Sequence, residues 1–130
     1  MSDRYAKYDS FDIDFPIDRV LRITFNNPKT YNSLDAKGHN QLTYIWKDID
    51  LDPDVDAVIV TGAGKAFSSG GDFGMIEANI KDETQRIQAW KEARDLVYNV
   101  IDCNKPVISA INGVAVGAGL VVAMLADISI

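Results

Sequence analysis

Two short glycine-rich loops contain the residues of this chain best suited to chemistry. The first loop is Ser68–Asp72 and the second is Gly117–Gly119. Each follows an apolar, strand-like segment and precedes a segment with a helical pattern. Because glycine lacks a Cβ, such loops leave backbone N–H groups open at the start of a helix, where an oxyanion or a phosphate can bind. The chemistry that the loops predict is therefore stabilisation of negative charge.

The glycines do not fit the standard nucleotide-binding motifs. Gly62–Lys65 reads Gly-Ala-Gly-Lys, but a Walker loop needs a wider glycine spacing and Ser or Thr after the lysine, where this chain has Ala66. A dinucleotide-binding fingerprint needs a third glycine, and the chain has Phe67 and Val122 at the two possible positions. Both motifs are excluded.

Two backbone amides, one from each loop, would be able to stabilise a developing oxyanion together. If parallel strands precede the loops, their carboxyl ends lie side by side and bring both loops to one crevice. Removing one such donor typically costs about 2.7–4 kcal/mol of transition-state stabilisation. The alternative is that the glycines only let helices pack closely on the sheet. The spacing leaves both interpretations open.

The segments that must position these loops alternate between strand and helix patterns. The predicted strands are Phe11–Phe15, Val20–Phe25, Ala57–Thr61 and Val107–Ile111, and another begins at Asp127–Ile130. The predicted helices run from Ser33 or Asp35 to Ile49, from Glu83 to Asp102, and from Gly117 to Ala126. The first two strands form an antiparallel hairpin, and the continuous apolar run of the third indicates burial on both faces of a parallel sheet. This order predicts an α/β fold with right-handed crossovers.

Helical periodicity assigns a buried side to each long helix. In the first helix that side carries Leu42, Ile45, Trp46 and Ile49, and in the second it carries Ile87, Trp90, Leu96, Val97, Val100 and Ile101. His39 is predicted on the polar face of the first helix. Asp72 is predicted to cap the helix that begins at Phe73 rather than to act as an acid or base.

The composition limits the class of protein and its surroundings. At 130 residues, 47% hydrophobic and 25% charged, the chain has the size of one domain and can bury a core. A net charge of -6 without a Lys/Arg-rich run argues against nucleic acid or an anionic membrane as a partner. The single Cys103 allows no internal disulfide, and the N-terminus shows no signal-peptide pattern. We expect a cytoplasmic protein.

Three segments together resemble the enoyl-CoA hydratase/isomerase (crotonase) superfamily, in the order in which that family has them: Asn27–Leu34, Val58–Phe73 and Lys105–Gly119. The resemblance implies a crotonase-like ββα spiral, acyl-CoA thioester substrates and homotrimers that often pair into hexamers. It implies no metal and no separate cofactor, because CoA is part of the substrate. We expect residues 1–130 to be the N-terminal part of a single crotonase-like domain, incomplete at the C-terminus.

Carried over residue by residue, the resemblance puts the two oxyanion-binding amides at Gly71 and Ala118. The same loop would lie against the adenine and pantetheine of CoA through Ser69, Gly70, Gly71, Asp72 and Phe73. Lys29 is a candidate for binding a CoA phosphate. Its alternative role is that of an ordinary solvated lysine.

The chain departs from the hydratases of this family at Val121. Hydratases carry there one of two glutamates that activate water, and the second acidic position would lie beyond Ile130. This difference disfavours a two-glutamate hydratase and favours an isomerase, a thioester or carbon–carbon bond hydrolase, a decarboxylase or an atypical lyase. The alternative is a non-catalytic CoA-binding or assembly protein of the same fold.

Overall fold

A five-stranded sheet dominates the computed structural model, which describes residues 2–130. Its strands, in spatial order, are β1 (Phe11–Ile17), β2 (Val20–Phe25), β3 (Ala57–Gly62), β5 (Val107–Ser109) and β7 (Ile128–Ser129). The β1–β2 pair is antiparallel and every other pair is parallel. A separate parallel pair consists of β4 (Ala66–Ser68) and β6 (Val114–Ala115). The predicted α/β class, with a mostly parallel sheet and an N-terminal hairpin, is confirmed.

The helices lie between these strands in the chain. They are α1 (Ser2–Tyr5), α2 (Ala36–Asp50), α3 (Phe73–Lys81), α4 (Glu83–Asp102) and α5 (Ala118–Leu125), with a short 3-10 helix at Pro28–Thr30. Asp72 caps α3 as predicted, because its carboxylate accepts a hydrogen bond from the Met75 N–H at 2.7 Å. Within residues 2–130, no helix has the length and apolar character that a membrane span needs.

The hydrophobic core lies between α2 and the central strands. The α2 side chains predicted to face it, Leu42, Ile45, Trp46 and Ile49, are all fully buried. They belong to one apolar cluster with residues of β2 and β3. On β3, Val58 and Val60 are buried but Ile59 is only half-buried, so the prediction that both faces of this strand are buried is wrong. Full burial of each large apolar side chain contributes about 1.5–3 kcal/mol.

Helix α4 buries a different face from the one predicted. Leu96 and Val100 are buried as expected, but Ile87, Trp90 and Ile101 are 56%, 67% and 57% exposed. The buried stripe of α4 begins instead at Glu92, one turn before Leu96. The helix carries apolar residues on more than one side, and the side with Glu92 packs against α2.

The prediction for His39 is also wrong, because this side chain is buried between α2 and α4. Its Nδ1 atom lies 2.8 Å from a carboxylate oxygen of Glu92. The side-chain amides of Asn40 and Gln88 donate to the other Glu92 oxygen at 2.8 and 3.0 Å. Burial opposes the charged form of Glu92, but these hydrogen bonds outweigh it and hold its pKa below the ordinary value of 4.5. The three donors thus make a buried carboxylate tolerable.

Replacing Glu92 by glutamine should destabilise the fold at neutral pH more than at acidic pH. A carboxylate with a lowered pKa stabilises the folded state above about pH 4.5, and this contribution is lost as pH falls through the lowered pKa. We expect Glu92→Gln to lower the free energy of unfolding by about 1–3 kcal/mol at pH 7. Urea titrations of both proteins at pH 7 and near pH 3 measure this difference.

The matched control is Glu77→Gln, which removes an exposed carboxylate paired with Lys81 one turn along α3. Exposed pairs of this kind contribute little to stability. An equal loss at both pH values for Glu92→Gln would contradict the role of the ionised carboxylate.

Candidate active site

The two glycine loops lie side by side in the structure. They follow β4 and β6, which pair in parallel through Ala66 with Val114 and Ser68 with Ala115. The Val116 N–H extends this pairing by donating to the Ser68 carbonyl at 2.8 Å. Both loops therefore leave the same end of a parallel strand pair. This is the arrangement expected from the sequence, but the strands that produce it are β4 and β6 rather than β3 and β5.

Glycine is required at the contact between the loops. A Cβ on Gly70 would lie 2.8 Å from the Val116 carbonyl oxygen, and one on Gly119 would lie 2.6 Å from the Ser68 Cβ. Gly70 and Gly117 also have φ angles of 84° and 57°, in the left-handed region that favours glycine. The close approach of α5 to β4 at Gly119 is the packing that the second interpretation predicts. It is compatible with anion binding, because the contact at Gly70 also holds the two loops against each other.

The backbone N–H groups of Gly71 and Ala118 have no hydrogen-bond partner within residues 2–130. The backbone groups on either side of the Gly71 N–H are hydrogen-bonded to Leu34. The Leu34 N–H donates to the Gly70 carbonyl at 2.7 Å, and the Leu34 carbonyl accepts from the Asp72 N–H at 2.8 Å. Ala118 is the first residue of α5, where an N–H has no partner within the helix. Within residues 2–130, neither amide donates a hydrogen bond to another group.

A cavity of about 540 Å³ lies beside Gly71. Its walls include four of the residues predicted to contact CoA, namely Ser69, Gly71, Asp72 and Phe73. Thr30, Tyr31, Ser33 and Ile76 complete the walls. Phe73 is 90% exposed, so its ring presents an apolar surface at the cavity. Gly70 does not line the cavity, since it faces the second loop.

Lys29 lies near this cavity along the chain but does not line it. It sits in the 3-10 helix, directly before the lining residues Thr30 and Tyr31, and its side chain is exposed. A flexible, exposed lysine at the rim is compatible with either of the two roles considered for it.

Asn32 connects the first sequence motif to β4 and the turn before it, a role that the sequence analysis missed. Its side chain is buried, and its Nδ2 atom lies 2.9 Å from the carbonyl oxygens of Ala63 and Ala66 and 3.2 Å from that of Phe67. Asn32 also has a φ angle of 58°, which asparagine tolerates better than most residues. An asparagine in a loop of this type was the signal available in the sequence.

Val121 lies one turn after Ala118 on α5. Residues three apart on a helix share a face, so the side chains of Val121 and Ala118 lie on the same face of α5. Val121 is half-buried and packs against the hydrophobic core. This part of α5 is therefore apolar.

The structure is that of an α/β protein with two glycine loops that leave the same end of a parallel strand pair. Residues 17–130 match the enoyl-CoA hydratase/isomerase family, and the chain belongs to this family. A "probable enoyl-CoA hydratase" of Mycobacterium tuberculosis is 41% identical over 113 residues, covering 85% of this chain and 43% of the relative. A "mevalonyl-coenzyme A hydratase" of Beauveria bassiana is 35% identical, covering 89% of this chain and 44% of the relative.

Solved structures agree with this assignment. An enoyl-CoA hydratase/isomerase from Mycobacterium paratuberculosis superposes with a TM-score of 0.86 at 35% identity, covering 91% of this chain and 47% of that one. An enoyl-CoA hydratase from Bacillus anthracis gives a TM-score of 0.79 at 30% identity, covering 91% and 45%. The chain thus spans about half the length of the relatives that it matches.

Proposed function

We propose that this chain is part of an acyl-CoA-processing enzyme in which the Gly71 and Ala118 N–H groups stabilise a thioester enolate oxyanion. The observation that carries the proposal is the pair of free amides on two adjacent loops. Family membership supports it, and so do the relatives named for enoyl-CoA and mevalonyl-CoA chemistry.

The two amides would act on the carbonyl oxygen of the thioester. When a proton leaves the carbon next to the carbonyl, the electron pair of the broken C–H bond moves into the carbonyl system and places negative charge on the oxygen. Fixed N–H donors bind this charge without reorganising, and the positive end of α5 adds to the stabilisation at Ala118. We place the acid or base that moves the proton outside residues 1–130.

The cavity beside Gly71 is the proposed site of the CoA moiety. The loop Ser69–Phe73 would contact the adenine and pantetheine, and Lys29 would approach a phosphate from the rim. CoA enters as part of the substrate, so the proposed chemistry uses backbone amides and protein side chains alone. For the whole protein we propose a single crotonase-like domain, a cytoplasmic location and a homotrimer or hexamer.

The apolar side chain of Val121 is the basis for the proposed type of reaction. We infer that the enzyme is an isomerase, a thioester or carbon–carbon bond hydrolase, a decarboxylase or an atypical lyase rather than a two-glutamate hydratase. Each of these reactions can use an enolate-like oxyanion with a different acid or base. The relatives carry hydratase names, so a hydration assay is the decisive comparison.

The intact protein should bind CoA thioesters saturably. Titration calorimetry with acetyl-CoA and with butyryl-CoA is expected to give a binding isotherm, because the cavity lies beside Gly71 and both amides lack a partner within residues 2–130. The control is free CoA, which shares the nucleotide and pantetheine but has no thioester carbonyl and should bind more weakly. Absence of heat and of a thermal shift at about 1 mM thioester, a concentration that detects even weak binding, would refute the proposal.

Val121 also favours the alternative, a non-catalytic CoA-binding or assembly protein, because valine has no ionisable group at a position where hydratases carry a glutamate. The two functions differ in whether the α-protons of a bound acyl-CoA exchange with solvent. An enolate-forming enzyme should catalyse incorporation of deuterium into butyryl-CoA in D₂O. Mass spectrometry of the butyryl-CoA measures this incorporation. Binding without any exchange, for this and other acyl-CoA thioesters, would favour the alternative.

A further inference from the structure

Ser68 is a fully buried residue at the point where the two glycine loops meet. Its hydroxyl donates to the Asn32 carbonyl at 2.8 Å and accepts from the Gly70 N–H at 3.2 Å. Its own carbonyl accepts from the Val116 N–H at 2.8 Å. One residue therefore contacts the first motif, the first loop and the residue directly before the second loop.

The hydroxyl of Ser68 helps to fix the direction of the Gly71 N–H. Gly70 is held at both ends, by Ser68 at its N–H and by the Leu34 N–H at its carbonyl, 2.7 Å away. The described chain has no cis peptide bond, so the Gly70 carbonyl and the Gly71 N–H point in opposite directions. With the carbonyl turned towards Leu34, the Gly71 N–H must point away from it. A Gly70 free to rotate would change that direction.

Ser68 also contacts the start of α5. A Cβ on Gly119 would lie 2.6, 2.8 and 2.9 Å from the Ser68 Cβ, carbonyl oxygen and Oγ. The backbone of Gly119 therefore packs directly on Ser68, and Gly119 follows Ala118 in the chain. The position of the Ala118 N–H depends on this contact.

We propose that Ser68 is a positioning residue for both oxyanion-binding amides, through its hydrogen bond to Gly70 and its contact with Gly119. This inference rests on the function proposed above for Gly71 and Ala118. Ser68 does not touch the substrate, so its removal should affect polarisation of the thioester carbonyl rather than binding of CoA. Misplacement of a reacting group by about 1 Å can cost up to about 100-fold in rate.

The test compares Ser68→Ala with wild type in the intact protein. We expect the rate of deuterium exchange into butyryl-CoA to fall about 10–100-fold, while the Kd for butyryl-CoA stays close to that of wild type. The infrared C=O stretch of bound [1-¹³C]butyryl-CoA reports polarisation without turnover. Binding should lower the frequency of this stretch relative to free butyryl-CoA, and this downshift should be clearly smaller in Ser68→Ala than in wild type. An unchanged exchange rate and an unchanged downshift would overturn the inference.

The matched control is Ser109→Ala, which removes another fully buried serine hydroxyl, one that donates to the Ala123 carbonyl at 2.8 Å and lies outside the glycine loops. It should lose similar stability and keep the wild-type carbonyl stretch. If Ser68→Ala does not fold, Ser68→Cys keeps the packing with a weaker hydrogen-bonding group and should give an intermediate downshift. In that case, a downshift in Ser68→Cys equal to that of wild type would overturn the inference.

The variant Ala118→Pro separates this inference from the proposed function. If Ala118→Pro loses the downshift and Ser68→Ala keeps it, only the role of Ser68 is wrong. If both variants keep the wild-type downshift, the oxyanion role of the amides is wrong, and the role of Ser68 is wrong with it.

Discussion

The variant Ala118→Pro is expected to lower turnover of an acyl-CoA substrate by about 10²–10³-fold, because proline removes one of the two N–H donors. The loss should appear mainly in kcat, since the proposed interaction strengthens as negative charge develops on the thioester oxygen. In the infrared experiment, the C=O stretch of bound [1-¹³C]butyryl-CoA should move back towards its frequency in water.

The structure provides a reason why this proline should not unfold the protein. Ala118 is the first residue of α5, a position where proline is well accepted because the N–H has no partner in the helix. Proline restricts the residue before it, but Gly117 has no Cβ to collide with the ring. Loss of activity in Ala118→Pro would therefore report the missing donor rather than a broken helix.

The matched control is Ala118→Gly, which keeps the N–H and removes only a methyl group. It should retain most of the activity, with a small loss of stability from added backbone freedom. Circular dichroism and thermal unfolding establish that both variants are folded. A folded Ala118→Pro with near wild-type turnover would show that Ala118 is not an oxyanion donor.

The sequence was sufficient to predict the order of the main elements and the pairing of the two glycine loops. The hairpin at β1 and β2, the buried side of α2 and the cap at Asp72 follow from local patterns that the structure confirms. The strands β4 and β6 were missed because each is at most three residues long and lies within a glycine-rich stretch whose composition is typical of a loop. Such strands carry too little periodicity to be recognised before their pairing is known.

The contacts that hold the site together could not be predicted in the same way. The hydroxyl of Ser68 and the carbonyl of Asn32 are 36 positions apart, and His39 is 53 positions from Glu92. A polar residue on a helix is assigned to solvent unless a buried partner is known, which explains the wrong prediction for His39. The long-range partner decides the burial of these groups, and only the folded chain shows it.

Hydration of crotonyl-CoA by the intact protein is expected to be very slow compared with a dedicated hydratase. The lack of a positioned general acid or base typically costs about 10²–10⁴-fold in rate. Val121 is half-buried against the core, so α5 has an apolar side chain at the position where hydratases of this family carry one of their two glutamates. The oxyanion amides alone would still polarise the thioester.

Introducing a carboxylate at this position tests the same argument in the opposite direction. Val121→Glu should not confer efficient hydration unless residues outside 1–130 supply a second carboxylate, because syn addition of water in this family uses two. Val121→Gln is the control, because glutamine has the size of glutamate without its charge. Both variants should lose some stability, since a polar group replaces an apolar side chain packed against the core.

Loss of enone absorbance after mixing crotonyl-CoA with the wild-type protein measures the hydration rate directly. Little or no decrease, together with deuterium exchange into butyryl-CoA, would indicate an enolate-forming enzyme that is not a hydratase, as Val121 predicts. Slow hydration that rises in Val121→Glu but not in Val121→Gln would indicate that a second carboxylate is present and that only the first is missing. Turnover at the rate of a dedicated hydratase would show that another residue activates water and that Val121 does not determine the reaction.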